Sequence, residues 1–313
     1  MDFLISGQHI NPVYLIVIGF FIGVLGGFFG VGGSFLAGPA LFALGVPMHF
    51  VVGTDLAHIV GKSIVAAKKH RALGNIDYTL GGLMVIGTIA GVETGAQAIQ
   101  YLKKHAHVDL YVGISFIVVL LSISIFMALE SWRTMKLKAG SASAPARGNS
   151  KANGGAKTDV SAFDHIARRV HSFRIPPMIR LRESGIERIS LWAILLVGFV
   201  GGFFSGFLGG GAGYIRMPSM VYFLGIPTHI AVGTDLFEII ISASYGTLSH
   251  ALKGNVDILI ALVMHTGAAI GAQIGATATQ YFAGPRIRLA FVPLPLIGAG
   301  IVIYGLITHH AAH

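Results

Sequence analysis

The chain has 313 residues, 54% of them hydrophobic and 11% charged, with a mean hydropathy of +0.74 and no cysteine. That balance excludes an ordinary soluble domain and makes a bilayer the natural solvent, while the missing cysteine excludes disulfides and thiolate chemistry. The formal charge of +9 invites a nucleic-acid partner, yet residues 133–188 alone hold twelve Lys and Arg against four Asp and Glu, so the basicity is local and no nucleic acid is expected.

The first apolar stretch, 12–29, is preceded by no Lys or Arg and by no small-residue cleavage pattern, so it reads as a retained membrane helix. Its end runs into a glycine block at 26–33, Gly-Gly-Phe-Phe-Gly-Val-Gly-Gly, followed by a short apolar run at 35–44. A further segment at 50–68 carries Gly-Thr-Asp-Leu at 53–56 and Lys62, and long apolar stretches follow at 80–102 and 108–129. The long stretches reach the roughly 18–20 residues that cross a hydrocarbon core. The short run does not, so it either re-enters or continues across the glycine break.

Residues 133–188 form a basic linker. Its stretch at about 139–160 is low in complexity and expected to be disordered, and 163–188 is mixed, with a surface helix as one reading. Lys and Arg concentrate on the cytoplasmic side of membrane proteins, which explains the linker without any ligand. A sharper alternative is anionic lipid bound by Arg168, Arg169, Arg174, Arg180 and Arg182.

Beyond the linker the first half recurs. Leu-Gly-Val-Pro-Met-His at 44–49 and Gly-Thr-Asp-Leu at 53–56 return 180 residues later as Leu-Gly-Ile-Pro-Thr-His at 224–229 and Gly-Thr-Asp-Leu at 233–236. Gly-Asn-Ile-Asp at 74–77 returns as Gly-Asn-Val-Asp at 254–257. The glycine block faces 205–211 at a spacing of 179, with Pro39 opposite Pro218. The expected fold is therefore an all-α polytopic membrane protein of two homologous halves, 1–132 and 189–313, joined by the linker, with four to five membrane segments per half. Duplicated halves with interrupted segments at matching positions point to a secondary transporter whose site lies near the midplane.

An odd number of crossings inverts the second half. The inverted arrangement puts the linker, residues 68–71 and Arg286 and Arg288 inside, leaving Lys103, Lys104 and Lys253 outside, and that bias favours inversion.

Three groups of residues could carry chemistry. Gly32, Gly33 and Ser34 in one half, and Gly210 and Gly211 in the other, are placed to open short helices whose free N–H groups suit an anion. Close helix packing is the plainer role for such glycines. Lys62 and Arg216 are cations inside apolar segments, where each charge costs about several kcal/mol unless paired or hydrated. Their counterparts across the repeat are Ser242 and Ala37, so the cations break the symmetry as an asymmetric anion requires. Snorkelling of Lys62, and a structural pair between Arg216 and Glu238 or Asp235, are the alternatives. Asp55 and Asp235 with Thr54 and Thr234 form the duplicated third group, serving as helix caps or coupling a proton or sodium ion. His58 and Glu238 occupy matching positions, and Glu93 and His265 are weaker candidates.

These motifs, Gly-x-Gly-Gly-x5-Pro at 30–39, the Gly-x-Pro and Gly-Thr-Asp-Leu that follow, and Gly-Asn-Ile-Asp at 74–77, all repeated, resemble the sulfite exporter TauE/SafE family. The resemblance spans about residues 12–130 and 190–308. It implies a permease in the bacterial cytoplasmic membrane for a small anion such as sulfite, thiosulfate or an organosulfonate. The second glycine block departs from the pattern by lacking a serine at the position of Ser34. No cofactor, metal or catalytic residue is expected, and the sequence leaves a homodimer open. A permease for another solute or a metal cation is the runner-up, and an intramembrane enzyme, lacking a nucleophile signature, is the rival from another class.

Overall fold

A computed structural model describes residues 2–3, 5–105, 108–142, 164–172 and 175–310. A hairpin of β1 (Asp2–Phe3) and β2 (Gln8–His9) precedes α1 (Pro12–Phe29), α2 (Ser34–Ala43), α3 (Met48–Ala72), α4 (Tyr78–His105) and α5 (Val108–Ala142). The linker contributes α6 (Asp164–Ser172) and a second hairpin, β3 (Met178–Leu181) with β4 (Ile186–Ser190). Then come α7 (Leu191–Leu208), a single 3-10 turn (Gly210–Ala212), α8 (Gly213–Tyr222), α9 (Thr228–Leu252), α10 (Ile258–Ala278), α11 (Gly284–Phe291) and α12 (Pro293–His310). Among the described residues, seven helices are long and apolar enough to cross a membrane. α9 falls outside that set through its polar content, although at 25 residues it equals α3 in length. The protein is thus an all-α polytopic membrane protein.

Glycine at every fourth position sets the packing. A Cβ on Gly19, Gly23 or Gly27 of α1 would strike the backbone of Met264, Ala268 or Ala272 of α10, and Gly267, Gly271 and Gly275 press in turn on Ile16, Phe20 and Val24. The same weave joins α4 to α7, with Gly87, Gly91 and Gly95 against Leu195, Phe199 and Phe203, and Gly198, Gly202 and Gly206 against Met84, Thr88 and Val92. Without a hydrophobic drive between helices in lipid, such close backbone contact is what holds them. Each half's first helix therefore packs on the fourth helix of the other half, not of its own.

The contacts also fix directions. Along each of these pairs residue numbers rise together, so α1 runs parallel to α10 and α4 parallel to α7. α3 accompanies α1 and α10, touching Asn255 through Gly53, His265 through Gly61, and the Gly27 carbonyl through His70 Nε2 at 3.2 Å. α9 accompanies α4 and α7, touching Asn75 through Gly233 and the Gly206 carbonyl through His250 Nε2 at 2.9 Å. The end of α9 leads into Asn255 beside the start of α3, so the two bundles run in opposite senses. One face, the linker face, gathers the end of α3, the starts of α4, α7 and α9, and Arg288, whose Nη1 donates to Thr228 Oγ1 at 2.7 Å. The other face holds Lys103, which donates to Asn255 Oδ1 at 2.9 Å, and Lys253, paired with Glu93 at 3.1 Å. Aromatic side chains exposed at both ends, Tyr14, Tyr101 and Tyr304 on one face and Tyr78, Trp132, Trp192 and Tyr281 on the other, mark two interfacial belts.

Several sequence expectations shift. The capping role open to Asp55 and Asp235 belongs to Asp77 and Asp257: Leu80 N donates to Asp77 Oδ1 at 3.0 Å, and Asp257 accepts from Leu259 and Ile260. Asp55 and Asp235 lie well inside α3 and α9, behind caps at Pro47 and Pro227. Thr54 and Thr234 instead reach across the halves, their Oγ1 atoms each accepting from Asp257 N and Asp77 N at 2.9 Å. The stretch at 289–307 divides into α11 and α12 because Pro293 cannot donate a backbone bond. Neither hairpin was legible. The low-complexity linker stretch between 143 and 163, and Arg174, lie outside the described residues.

Candidate functional site

α1 runs toward the linker face and ends, still buried, at Gly30, whose φ of 73° is left-handed and open to glycine at little cost. The chain then doubles back, bringing Gly33 against the backbone of Ile22 in the middle of α1, and α2 completes the return to the start of α3. The short run therefore neither spans alone nor stays on one side. The second half does the same in the opposite sense, through Gly209, Gly210 and Gly211 at positive φ. The two breaks meet. A Cβ on Gly32 would lie 3.5 Å from the Gly210 carbonyl oxygen, and one on Gly213 would press on Val31. Two half-helices thus begin head to head in the interior, α2 from Ser34 after the Gly33 cap and α8 from Gly213. Gly30 packs on Val232 of α9 and Gly209 on Val52 of α3, so each break is seated on the opposite half.

Around this meeting point lie the buried side chains of Asp55, His58, Lys62, Arg216, Asp235 and Glu238. Arg216, on the first turn of α8, places Nε 2.5 Å from Asp235 Oδ1 and Nη1 2.6 Å from Glu238 Oε2. Its Nη2, Asp235 Oδ2 and Glu238 Oε1 have no hydrogen-bond partner among the described residues. Asp235 Oδ2 lies against Gly213, the opening residue of α8, where helix N–H groups favour negative charge. Ser242 Oγ donates to Glu238 Oε2 at 3.2 Å, and Thr88 of α4 also faces that carboxylate.

The first half is built differently. Asp55, His58 and Lys62 line one face of α3; His58 Nδ1 is 3.5 Å from Asp55 Oδ1 and 3.2 Å from Lys62 Nζ. Neither Asp55 oxygen has a hydrogen-bond partner among the described residues. His265 reaches this group from α10, and the buried Tyr214 of α8 lies within the field of Asp55, linking the two clusters.

The structure brings together Gly32, Gly210, Asp55, His58, Lys62, Arg216, Asp235 and Glu238, while Thr54 and Thr234 serve the interface between halves. Glu93 sits apart, near the face opposite the linker, bonded to Ser249 at 2.7 Å and Lys253 at 3.1 Å. Tyr214, Thr88 and the buried Ser205 were missed by sequence reasoning. Polar residues inside apolar stretches were the available signal, but without a polar partner across the repeat they did not stand out.

A bundle of membrane helices with two interior breaks and buried paired charges at their junction belongs to the class of membrane permeases. The chain is a member of the family described as Sulfite exporter TauE/SafE, which matches residues 15–302. It is 24% identical over 303 residues to the "Probable membrane transporter protein YunE" of Bacillus subtilis (strain 168), covering 94% of this chain and 98% of that protein. It is 30% identical over 114 residues to YdhB of the same strain, also named a probable membrane transporter protein, covering 36% of this chain and 46% of the relative. A "Probable membrane transporter protein" of Xylella fastidiosa (strain Temecula1 / ATCC 700964) is 35% identical over 95 residues, 29% of this chain and 35% of that protein. No solved structure gives a significant match.

Proposed function

We propose that the protein is a secondary permease for a small anion, with sulfite, thiosulfate and organosulfonates as the substrate class. The observation that carries this reading is the head-to-head meeting of α2 and α8, beside Arg216 and Lys62. Half-helix N-termini offer unpaired N–H groups to an anion, and a guanidinium adds a planar pair of donors. The halves act as inverted repeats, residues 1–132 and 189–313, that rock about this junction. Residues 68–71, the linker and Arg286 and Arg288 gather on the linker face, which makes that face cytoplasmic.

Asp55 and Asp235 are the acids that both halves retain well inside a membrane helix, and a coupling ion acts on this centre. A cation permease is disfavoured by the two buried cations, and among the described residues no three His, Asp or Glu converge as a metal cage. Calorimetric titration of the purified protein with sulfite, thiosulfate, sulfoacetate, taurine and sulfate tests the substrate class. Saturable binding of at least one sulfur oxyanion or sulfonate is expected. Binding of none, with uptake of a cation into proteoliposomes, would reverse the reading.

A further inference from the structure

We infer that Glu238 is an internal stand-in for the transported anion: it holds Arg216 until the anion arrives, and then leaves the guanidinium and takes up a proton. The inference rests on the anion-permease reading and makes the protein an anion–proton symporter with one proton per anion.

The geometry leads there by charge. Arg216 Nη1 stands 2.6 Å from Glu238 Oε2 and Nε 2.5 Å from Asp235 Oδ1, so one buried guanidinium serves two carboxylates. The charged groups facing Glu238 are Arg216 from α8 and Asp235 from its own helix, with the hydroxyls of Thr88 on α4 and Ser242. From α3, Asp55, His58 and Lys62 form their own cluster, in which one anion and one cation already offset each other. With both carboxylates ionised the Arg216 group carries one net negative charge. A monoanion added to it would raise that to two in a buried site, where unpaired charge is most costly. If Glu238 binds a proton as the anion enters, the net charge stays at one.

The two carboxylates are not equivalent. Asp235 Oδ2 lies at the first residue of α8, where the helix N-terminus favours a negative charge. Glu238 has the hydroxyls of Ser242 and Thr88 for neighbours and, like Asp235, keeps one oxygen without a hydrogen-bond partner among the described residues. A hydroxyl can donate to a carboxylate or accept from a carboxylic acid, so these neighbours suit either form. Glu238 is therefore the group that can leave. As its ion pair opens, the proton comes from solvent onto the carboxylate, and Nη1 together with the unpartnered Nη2 presents two parallel donors to the anion. The matching position in the first half is His58, also a proton acceptor, so both halves place a titratable group three residues after the shared aspartate.

Two measurements on the detergent-purified full chain test this, using isethionate and methanesulfonate, monoanions whose charge is constant between about pH 5 and pH 9. In weak buffer, saturating either anion should draw one proton per anion from solution. Affinity should fall about tenfold per pH unit once Glu238 ionises, because a ligand that binds with one proton follows proton activity. Glu238→Gln, the neutral isostere, should bind with a flat pH profile and no proton uptake. Binding by the parent without proton uptake overturns this inference alone, as does a Glu238→Gln profile matching the parent's. Should Glu238→Gln not fold, the parent's proton count decides. Failure of the parent to bind any sulfur oxyanion or sulfonate at any pH removes the anion-permease reading beneath it.

Discussion

The two halves share their frame and differ at their centre. Each has a short hairpin before its first helix, the second one formed mostly by the linker, sends that helix against the other half's fourth, breaks at glycines, and folds a ten-residue helix back from the interior. Inside that frame one half holds Asp55, His58 and Lys62 on a single helix, and the other holds Arg216 on the half-helix facing Asp235 and Glu238. The repeat keeps what backbone packing needs, and the halves diverge at the buried charged side chains where the anion is proposed to bind. Matched substitutions in the frame should therefore behave alike, and matched substitutions at the centre should not.

The largest expected effect is at Arg216. Arg216→Gln leaves Asp235 and Glu238 buried without a counter-charge, a loss of about 3–5 kcal/mol in stability. Lys62→Gln leaves Asp55 beside His58 in a looser cluster and should cost less. Thermal unfolding in detergent compares them, and the triple change Arg216→Gln, Asp235→Asn, Glu238→Gln should restore much of the lost stability. Equal midpoints for the two single variants would mean that the centre is as symmetric as the frame.

Conservative exchanges sharpen the same contrast in affinity. Arg216→Lys keeps the charge but loses the planar fork, so anion affinity should drop by the value of a charge-assisted hydrogen bond, about 1.5–3 kcal/mol or roughly 10- to 150-fold. Lys62→Arg should cost less, since a point charge is replaced by an equal charge. Calorimetry on folded protein reads both, and the reverse order would move the anion toward α3.

In the frame the expectation is equality. Gly23 and Gly202 hold matching positions, and a Cβ on either strikes the backbone of a partner helix, at Ala268 and Thr88. Gly23→Val and Gly202→Val should each destabilise by about 1–3 kcal/mol, the range for overfilling a packed contact. A thermal shift in one and none in the other would show that the two helix pairs are not equivalent.

The membrane class, the duplication and the two interior breaks were legible because hydropathy, exact spacing and glycine are direct sequence signals of backbone behaviour. Lys62 and Arg216 were legible as cations out of place. The pairing of Arg216 with Glu238 or Asp235 is one of two readings the sequence allows, and the structure makes both pairs; the choice between a free cation and an ion pair depends on how α8 folds back. The exchange of helices between halves was hidden because a glycine every fourth residue says that something packs closely, without saying what. The hairpins escaped because strands of two to five residues carry too little alternation to register.

The smallest effect, and the closest test of frame equality, lies in those hairpins. Ser6 Oγ donates to Asp257 Oδ2 at 2.7 Å, and Ser184 Oγ to Asp77 Oδ2 at 2.7 Å. The turns are alike, with Gly7 and Gly185 both at φ 71°, and each hairpin fastens the capping aspartate of a fourth helix: Ser6 that of the other half, Ser184 from the linker that of the first. The backbone N–H of Ser6 adds a second bond at 3.1 Å to the same oxygen. Ser6→Ala therefore removes one of two donors, and Ser184→Ala removes the one hydroxyl that the hairpin supplies. Each should cost about 0.5–1.5 kcal/mol, the net worth of a single hydrogen bond, with Ser184→Ala the larger of the two. Hydrogen exchange at Leu80 and Ile260, the amides that donate to these aspartates, should rise in the matching variant alone. A rise at both amides in either variant would mean that the two caps are coupled through the helix weave rather than fastened separately.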